Sequence, residues 1–338
     1  MREPAFWYRR PSLISLLLSP LGAVYGLVSG RRMQRAGFDA GIPVLCIGNY
    51  HLGGAGKTPM ALALTRLLRD LGETPIVLSR GYGGRLRGPV VVDAARHEAA
   101  DVGDEPLMLA RTVPVVVARD RIDGLALAKS QNASVILMDD GFQNSAIAKD
   151  ASMIVIDGDR GLGNGKVFPA GPLRAPLPPQ IARTDALVVI GDGSAARPVA
   201  AAIAAQGKLV LSAHVRADRA SLAPLHGKRV LAFAGIGDPG RFFRTLRSHG
   251  IEVVAERAFP DHHPFSDREI AALIAEAKRE ALTLVTTEKD MVRLRKAKGA
   301  KDILTFAVTL EFENPVQLRK FLADRLFQAR ASKISGTS

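Results

Sequence analysis

The sequence predicts an α/β protein with a mostly parallel sheet flanked by helices and a second, smaller α/β domain. Short apolar runs recur along the chain, and each ends in Gly or Asp, as buried parallel strands do at the edge where ligands bind. Stretches of about 10 to 15 residues with helical character separate most of these runs. The chain has 338 residues, which is near the limit for a single core and therefore favours two domains.

The predicted strands occupy residues 43–48, 75–79, 113–118, 134–140, 152–158, 185–191 and 228–237. The stretch 59–71 is helical, because its apolar residues recur on one face. Residues 208–216 and 304–312 alternate polar and apolar side chains, and we expect these two strands to pair as a connector between the domains. The predicted division is an N-terminal segment (1–35), a large domain (36–212), a small α/β domain with the connecting strands (213–312), and a C-terminal helix and tail (313–338).

The charge balance predicts an anionic partner, because 46 Lys and Arg oppose 33 Asp and Glu, for a net charge of +13. Much of the excess lies in residues 1–35, with six Arg against one acid, and in residues 278–301, with eight basic residues against three acids. Nucleic acid is not the expected partner, because only 5% of residues are aromatic and none are interleaved with a basic patch. The single Cys46 excludes an internal disulfide and argues against a cysteine zinc site.

An apolar run near the N-terminus indicates contact with a membrane. Residues 13–28 are largely apolar and lie between arginine pairs at 9–10 and 31–32. The run is shorter than the roughly 20 residues that span a bilayer, and Pro20 interrupts it. Basic residues follow it, where a secretory signal would have a small-residue cleavage site.

We therefore expect the N-terminal segment to be an apolar helix lying in the membrane interface. Its arginines would face anionic headgroups, with Trp7 and Tyr8 at headgroup depth. The alternative is a helix packed on the domain core.

The strongest motif is a glycine-rich loop between the first strand and the helix after it. The residues of this predicted nucleotide-binding loop are His51, Leu52, Gly53, Gly54, Ala55, Gly56, Lys57 and Thr58. In a P-loop the glycines let backbone N–H groups converge on phosphate oxygens. Lys57 would reach the β- and γ-phosphates of ATP, and the Thr58 hydroxyl would bind Mg²⁺. His51 stands where the usual motif has its first Gly, so a strict pattern would miss the loop.

A second buried strand ends in Asp139 and Asp140, as a Walker B strand does. Carboxylates at this position would hold Mg²⁺, directly or through water, close to the transferring phosphoryl group. A P-loop NTPase-like fold is therefore predicted for residues 36–212.

Further polar clusters point to an acceptor molecule beyond ATP. They are residues 79–85 (SRGYGGR), 102–106 (VGDEP), 140–143 (DGFQ), 169–174 (PAGPLR), 234–237 (AGIG), 259–262 (FPDH) and 287–290 (TEKD). Their order and spacing closely resemble the tetraacyldisaccharide 4'-kinases of lipid A biosynthesis, from the N-terminal apolar segment to about Asn314. The family pattern often has His where this chain has Asn144 and Glu where it has Ala175, which affects expected sugar and phosphate contacts rather than the reaction.

The resemblance implies ATP- and Mg²⁺-dependent phosphorylation of the 4'-hydroxyl of a tetraacylated glucosamine disaccharide 1-phosphate. It also implies peripheral, monotopic attachment to the cytoplasmic face of the bacterial inner membrane. The partners expected are this lipid disaccharide and the membrane surface, and no protein partner is inferred.

By the same resemblance Asp104 is the general base and His262, from the second domain, is its partner. An oriented carboxylate can accept the proton of an alcohol as the bond to phosphorus forms. The sequence alone does not choose between His262 and the adjacent His263. Lys57 completes the expected catalytic set.

The remaining site residues are implied in two groups. Mg²⁺ would be held by Thr58, Glu105 and Asp139. Substrate contacts would come from Arg80, Glu105, Arg119, Asp140, Gln143 and Arg174. Residues 287–290 are interpreted as a helix-capping turn without chemistry.

The loop motif leaves one competing function, since similar loops occur in dimeric P-loop NTPases that act as switches in targeting or metal delivery. Such switches usually carry a Lys near the loop start, where this chain has His51, or thiol-rich metal motifs that a single Cys cannot form.

Overall fold

The computed structural model describes residues 3–9, 12–54 and 56–335, and it confirms the predicted α/β architecture. The strands are β1 (Val44–Gly48), β2 (Pro75–Ser79), β3 (Val90–Val91), β4 (Val115–Val117), β5 (Val135–Asp139), β6 (Ala151–Asp157), β7 (Ala186–Ile190), β8 (Leu209–Ala217), β9 (Arg229–Ala234), β10 (Glu252–Ala258), β11 (Thr283–Thr287), β12 (Ile303–Phe306) and β13 (Val308–Phe312).

Helices cover both sheets and both ends of the described chain. They are α1 (Leu13–Leu17), α2 (Ser19–Met33), α3 (Lys57–Asp70), α4 (Ala99–Val102), α5 (Asp104–Leu109), α6 (Arg121–Ser130), α7 (Leu177–Ala182), α8 (Arg197–Ala204), α9 (Arg219–Leu222), α10 (Pro239–Ser248), α11 (Asp267–Arg279), α12 (Glu288–Leu294) and α13 (Pro315–Ser335). Short 3₁₀ turns occur at Ala5–Tyr8, Ala223–Leu225 and Ala300–Asp302.

A nine-stranded sheet has the order β13-β8-β7-β6-β1-β5-β2-β4-β3. The inner strands of this sheet are parallel, and the two edge strands, β3 and β13, run antiparallel to their neighbours. Side chains of β1 alternate between two packed faces, with Leu45 and Ile47 in the core that includes α3 and α13 and Cys46 in the core that includes α6 and α8. The loop after β1 and the carboxylates after β5 therefore lie side by side at one edge of this sheet.

A separate four-stranded parallel sheet has the order β10-β9-β11-β12. We call the part built on this sheet the small lobe and the part built on the nine-stranded sheet the large lobe. β8 and β13 pair antiparallel, from Val308 with Ala217 to Phe312 with Ala213, as the connector was expected to do. The expectation of one strand over 304–312 was wrong, because β12 belongs to the small sheet and β13 to the large one, with Ala307 between them.

The N-terminal segment forms two helices rather than the single helix expected. Ser12 and Ser15 form a capping box at the start of α1, and Pro20 lies in the first turn of α2, where its missing N–H costs nothing. Gly22 and Gly26 are buried against the loop that contains Val167 and Pro176, so the absence of a Cβ lets α2 lie close to the large lobe.

The opposite face of these helices is apolar and exposed. Its exposed residues are Leu13, Ile14, Leu16, Leu17, Leu21, Val24, Tyr25, Leu27 and Val28. One face of the segment therefore packs on the large lobe, as the alternative interpretation expected, and the other face meets solvent. No described helix has the length and apolar character needed to cross a bilayer.

The expectation that Trp7 lies at headgroup depth was wrong. Trp7 is buried, its Nε1 donates to the carbonyl of Pro169 at 3.1 Å, and its ring contacts Phe168 edge-on. Tyr8 is half-buried beneath the guanidinium of Arg160, 5.2 Å from its ring centre. These contacts fix the segment before α1 to the large lobe.

Candidate active site

The loop 51–58 joins β1 to α3 and has the backbone shape that phosphate binding requires. Gly53 (φ +100°) and Gly56 (φ +88°) adopt left-handed conformations that favour glycine. A Cβ at Gly54 would meet no atom within 4 Å, so this part of the loop is open. Ala55 lies outside the described residues. The loop can therefore present its N–H groups and the start of α3 to an anion.

His51, at the position of the usual first glycine, is a buried part of the loop. Its Nδ1 lies 2.9 Å from the carbonyl of Leu52, and the N–H of Leu52 donates to the carbonyl of Pro172 at 2.8 Å. Burial lowers the pKa of His51 to about 4, and the nearby charges of Lys57 and Arg174 act in the same direction. The imidazole is therefore neutral near pH 7.

Asp140 joins the two cations of the loop region. Its Oδ1 lies 3.6 Å from Lys57 Nζ and accepts a hydrogen bond from Arg174 Nη1 at 2.6 Å. Arg174 Nε also donates to the carbonyl of His51 at 3.0 Å, which ties the carboxylate to the loop. Burial opposes ionisation of Asp140, but the charges of Lys57 and Arg174 outweigh it and hold its pKa below the ordinary range.

Asp139 is more deeply buried than Asp140, and its carboxylate has different neighbours. Its Oδ2 lies 3.4 Å from Ser79 Oγ, and Arg121 donates to its main-chain oxygen rather than its carboxylate. Burial raises the pKa of Asp139 to about 7, and the negative charges of Glu105 and Asp140 add to this effect.

This donor set fits a magnesium ion bound together with nucleotide phosphates. A divalent cation would offset the burial and the weaker repulsion by Glu105 and Asp140 that raise the pKa of Asp139. The Thr58 hydroxyl lies one residue after the P-loop lysine. Within residues 3–9, 12–54 and 56–335, no three His, Cys, Asp or Glu side chains converge as a metal site of their own. Mg²⁺ is commonly held by one or two carboxylates, water and substrate phosphates.

Asp104 and His262 meet across the cleft between the lobes. Asp104 begins α5 after Gly103 (φ +92°), and its Oδ2 lies 2.8 Å from Nδ1 of His262. His262 has a left-handed backbone (φ +58°), which is costly for a residue with a side chain. Burial opposes ionisation of Asp104, but the hydrogen bond from His262 and the charge of Arg293 outweigh it and lower the carboxyl pKa.

Glu105 pairs with Lys289 of the small lobe, 3.1 Å from Oε1 to Nζ, and this cation lowers the pKa of Glu105. Residues 287–290 do form the expected helix cap, since the Thr287 side chain accepts from the N–H of Asp290. The sequence interpretation nevertheless missed Lys289 and Arg293 as partners of the site. The sequence feature that could have indicated them is the excess of basic residues in 278–301. Lys289 from this stretch contacts Glu105, and Arg293 contacts Asp104.

The other predicted substrate residues follow strands at the same edge of the large sheet. Arg80 is exposed just after β2, and Arg119 is exposed just after β4, with its Nη2 3.4 Å from the carbonyl of Gly84. Gln143 uses its amide nitrogen to donate to the carbonyl of Asn49 at 2.8 Å and to Gln180 at 2.9 Å. Gln143 therefore braces the strand end that precedes the loop.

Sequence reasoning also missed a contact between the N-terminus and the loop. The Glu3 carboxylate lies where a Cβ on Gly53 would be. Arg160 holds Glu3 at 3.1 Å and Asp238 of the small lobe at 3.1 Å. No local pattern marks Glu3, because the contact joins residues 50 positions apart.

Comparison with known proteins gives consistent results. The sequence model of the family described as tetraacyldisaccharide-1-P 4'-kinase matches residues 14–327. A tetraacyldisaccharide 4'-kinase from Bradyrhizobium diazoefficiens is 69% identical over 331 residues, covering 98% of each chain. Another from Rhodopseudomonas palustris is 65% identical over 337 residues, covering 99% of this chain and 100% of the relative. Among solved structures, LpxK from Aquifex aeolicus in complex with ATP has a TM-score of 0.73 at 25% identity, covering 93% of this chain and 100% of that one.

Proposed function

The chain belongs to the tetraacyldisaccharide-1-P 4'-kinase family, and from this premise we propose how its own residues perform the ATP-dependent phosphorylation of a lipid A disaccharide. The single observation that carries the proposal is the contact of Asp104 with His262 at 2.8 Å, beside a phosphate-binding loop. The kinase activity follows from the family, whereas the residue roles below are proposals.

Asp104 is the general base. His262 and Arg293 both contact Oδ2 of Asp104. Among the described residues, none donates a hydrogen bond to Oδ1 of Asp104. Oδ1 is therefore the oxygen that accepts the proton of the 4'-hydroxyl. As this proton moves to Asp104, the 4'-oxygen bonds to the γ-phosphorus, the bond from that phosphorus to the β–γ bridging oxygen breaks, and ADP leaves.

The loop 51–58 holds the triphosphate. Lys57 and Arg174 already share Asp140, so both cations lie where phosphate oxygens can replace or join that carboxylate. Thr58, Asp139 and Glu105 would hold Mg²⁺, which when bound neutralises charge on the phosphate oxygens.

Substrate recognition falls to the arginines at the edge of the large sheet. The side chains of Arg80 and Arg119 are exposed, and their positive charges suit the 1-phosphate of the acceptor. Gln143 acts indirectly in this scheme, since its hydrogen bond to Asn49 supports the strand end before the loop.

The exposed apolar face of α1 and α2 binds the cytoplasmic face of the inner membrane peripherally. Leu13 and Leu17 are each 79% exposed, which is unfavourable in water and suits an acyl boundary. Arg31 and Arg32 close the last turn of α2 and would face anionic headgroups. A membrane-bound kinase of this kind meets the sugar of its lipid substrate without extracting the acyl chains.

The decisive experiment incubates the purified full chain with γ-³²P-labelled ATP and a tetraacylated disaccharide 1-phosphate in mixed micelles. We expect label in the lipid at the 4' position and none with a 4'-deoxy acceptor. Release of labelled inorganic phosphate without labelled lipid would contradict the proposal.

A further inference from the structure

Arg293, on α12 of the small lobe, is almost fully buried at the cleft, with 7% of its side chain exposed. Its Nη2 donates to the carbonyl of Gly235 at 2.9 Å and forms an ion pair with Asp290. Its Nη1 lies 3.4 Å from the carbonyl of His263. Its Nε is buried without a hydrogen-bond partner among the described residues and lies 3.6 Å from Oδ2 of Asp104.

The two carbonyl groups of Gly235 and His263 that Arg293 contacts are both linked to His262. The N–H of His262 donates to the same Gly235 carbonyl, at 3.1 Å. The second carbonyl belongs to the next residue, His263. Arg293 therefore contacts the backbone around His262, which has a left-handed conformation (φ +58°). Such a conformation persists only where its surroundings fix it.

Asp290 strengthens this arrangement from within the small lobe. Its carboxylate is fully buried, accepts from the N–H of Gly235 at 3.1 Å, and pairs with Arg293. The turn, Asp290 and Arg293 thus form one hydrogen-bonded unit that lies on the end of β9. The unit presents two groups to Asp104, the His262 imidazole and the Arg293 Nε, and both lie nearest to Oδ2.

We propose that Arg293 is a positioning residue for phosphoryl transfer, which holds the turn that aims His262 at Asp104 and keeps the carboxylate turned so that Oδ1 faces the acceptor alcohol. The inference rests on the proposed function, because it requires the Asp104–His262 pair to be catalytic. The positive charge of Arg293 lies at contact distance from the Asp104 carboxylate. Arg293 therefore also attracts Asp104 toward the small lobe when the cleft is closed.

The test is Arg293→Met, which keeps most of the volume and removes every donor. We expect kcat to fall about 10- to 100-fold, since a displacement of about 1 Å in a reacting group has effects of this size. The KM for ATP should stay unchanged, because the described contacts of Arg293 do not include the loop 51–58. Wild-type kcat in a folded Arg293→Met variant would overturn the inference.

A double-mutant cycle with His262→Ala separates positioning from general destabilisation. If Arg293 acts through His262, adding Arg293→Met to His262→Ala should lower kcat by much less than it does in the wild type. Full additivity of the two effects would contradict the proposed route. If His262→Ala and Asp104→Ala themselves retain wild-type turnover, the proposed function fails, which is a separate result.

Two further variants complete the design. Arg295→Met is the matched control, because Arg295 also crosses the cleft but donates to main-chain carbonyls, with Nη2 2.7 Å from His97 O. It should leave kcat near that of the wild type.

Should Arg293→Met fail to fold, Arg293→Lys retains the charge beside Asp290, yet one ammonium group cannot bridge Gly235 and His263 in the way a guanidinium does. Its kcat should also fall, and an unchanged kcat would overturn the inference.

Discussion

Lys57 forms an ion pair with Asp140 within the large lobe, whereas Asp104 pairs with His262 and Arg293 of the small lobe. The proposed phosphate-binding half of the site, Lys57 with Asp140, thus lies within the large lobe. The proposed base half, Asp104 with His262 and Arg293, joins the two lobes. Binding of ATP and transfer of its phosphoryl group should therefore respond differently to substitution, and the predictions below test this difference.

Asp104→Ala should have the largest effect, with kcat for lipid phosphorylation lowered about 10²- to 10⁴-fold through loss of the proton acceptor. Affinity for ATP should persist, because the described polar partners of the Asp104 side chain belong to the small lobe. Initial rates with the labelled acceptor, together with titration of a fluorescent ATP analogue, measure the two quantities separately. Wild-type turnover would reject Asp104 as the base.

Lys57→Met should act on the other half of the site. Loss of the ammonium at the γ-phosphate is expected to lower kcat about 10²- to 10³-fold, as removal of one charge-stabilising donor commonly does. The contact of His262 with Asp104 should remain, since Lys57 takes no part in it. Lys208→Met is the control, because Lys208 Nζ donates to the carbonyls of Ile181 and Ala182, the last two residues of α7. Equal loss in both variants would break the comparison.

His51→Asn should change the pH dependence of stability. In the wild type the imidazole pKa is 6.5 in the unfolded chain and about 4 when folded, so the unfolded chain takes up the proton first as pH falls. The free energy of unfolding then decreases between pH 6.5 and 4, by up to about 3 kcal/mol from this group.

The measurement is urea unfolding of the wild type and His51→Asn across that pH range. The variant should have the flatter profile, whatever its stability at pH 7. His226→Asn, a change at an exposed histidine, should leave the wild-type slope in place. A slope unchanged in His51→Asn would mean that the His51 side chain is more open to water than its 1% exposure indicates.

The smallest effect concerns the N-terminal helices, which take no part in either half of the site. Leu17→Ser should weaken association with vesicles of anionic phospholipid about 5-fold, since one apolar side chain no longer partitions. Activity toward a short-chain acceptor in detergent should remain. Ile334→Ser, at another exposed apolar position, is the control in vesicle flotation assays. Equal binding of the two variants to the vesicles would contradict the membrane proposal.

Local sequence predicted the elements well wherever the pattern is periodic. The strand before the loop, the glycines in it and the carboxylates after β5 are contiguous signals, and β1 and β5 are neighbours in the sheet. The order of the polar motifs was enough to identify the family. The split of 304–312 into two strands was not predictable in this way, because both strands alternate alike and differ only in the sheet they join.

The tertiary structure shows why His262, the histidine that the family resemblance implies, meets Asp104 and the adjacent His263 does not. His262 and His263 are adjacent in sequence, yet His263 Nε2 lies 2.9 Å from Glu269 at the cap of α11, and His262 crosses the cleft. The tertiary structure also decided that Trp7 is buried and that Arg293 lies 3.6 Å from the Asp104 carboxylate. The sequence determined the strands, the loop and the chemical groups available, because these depend on short-range periodicity and backbone freedom. The pairing of Asp104 with His262 depends on how two separately packed sheets are placed, and no local pattern encodes that placement.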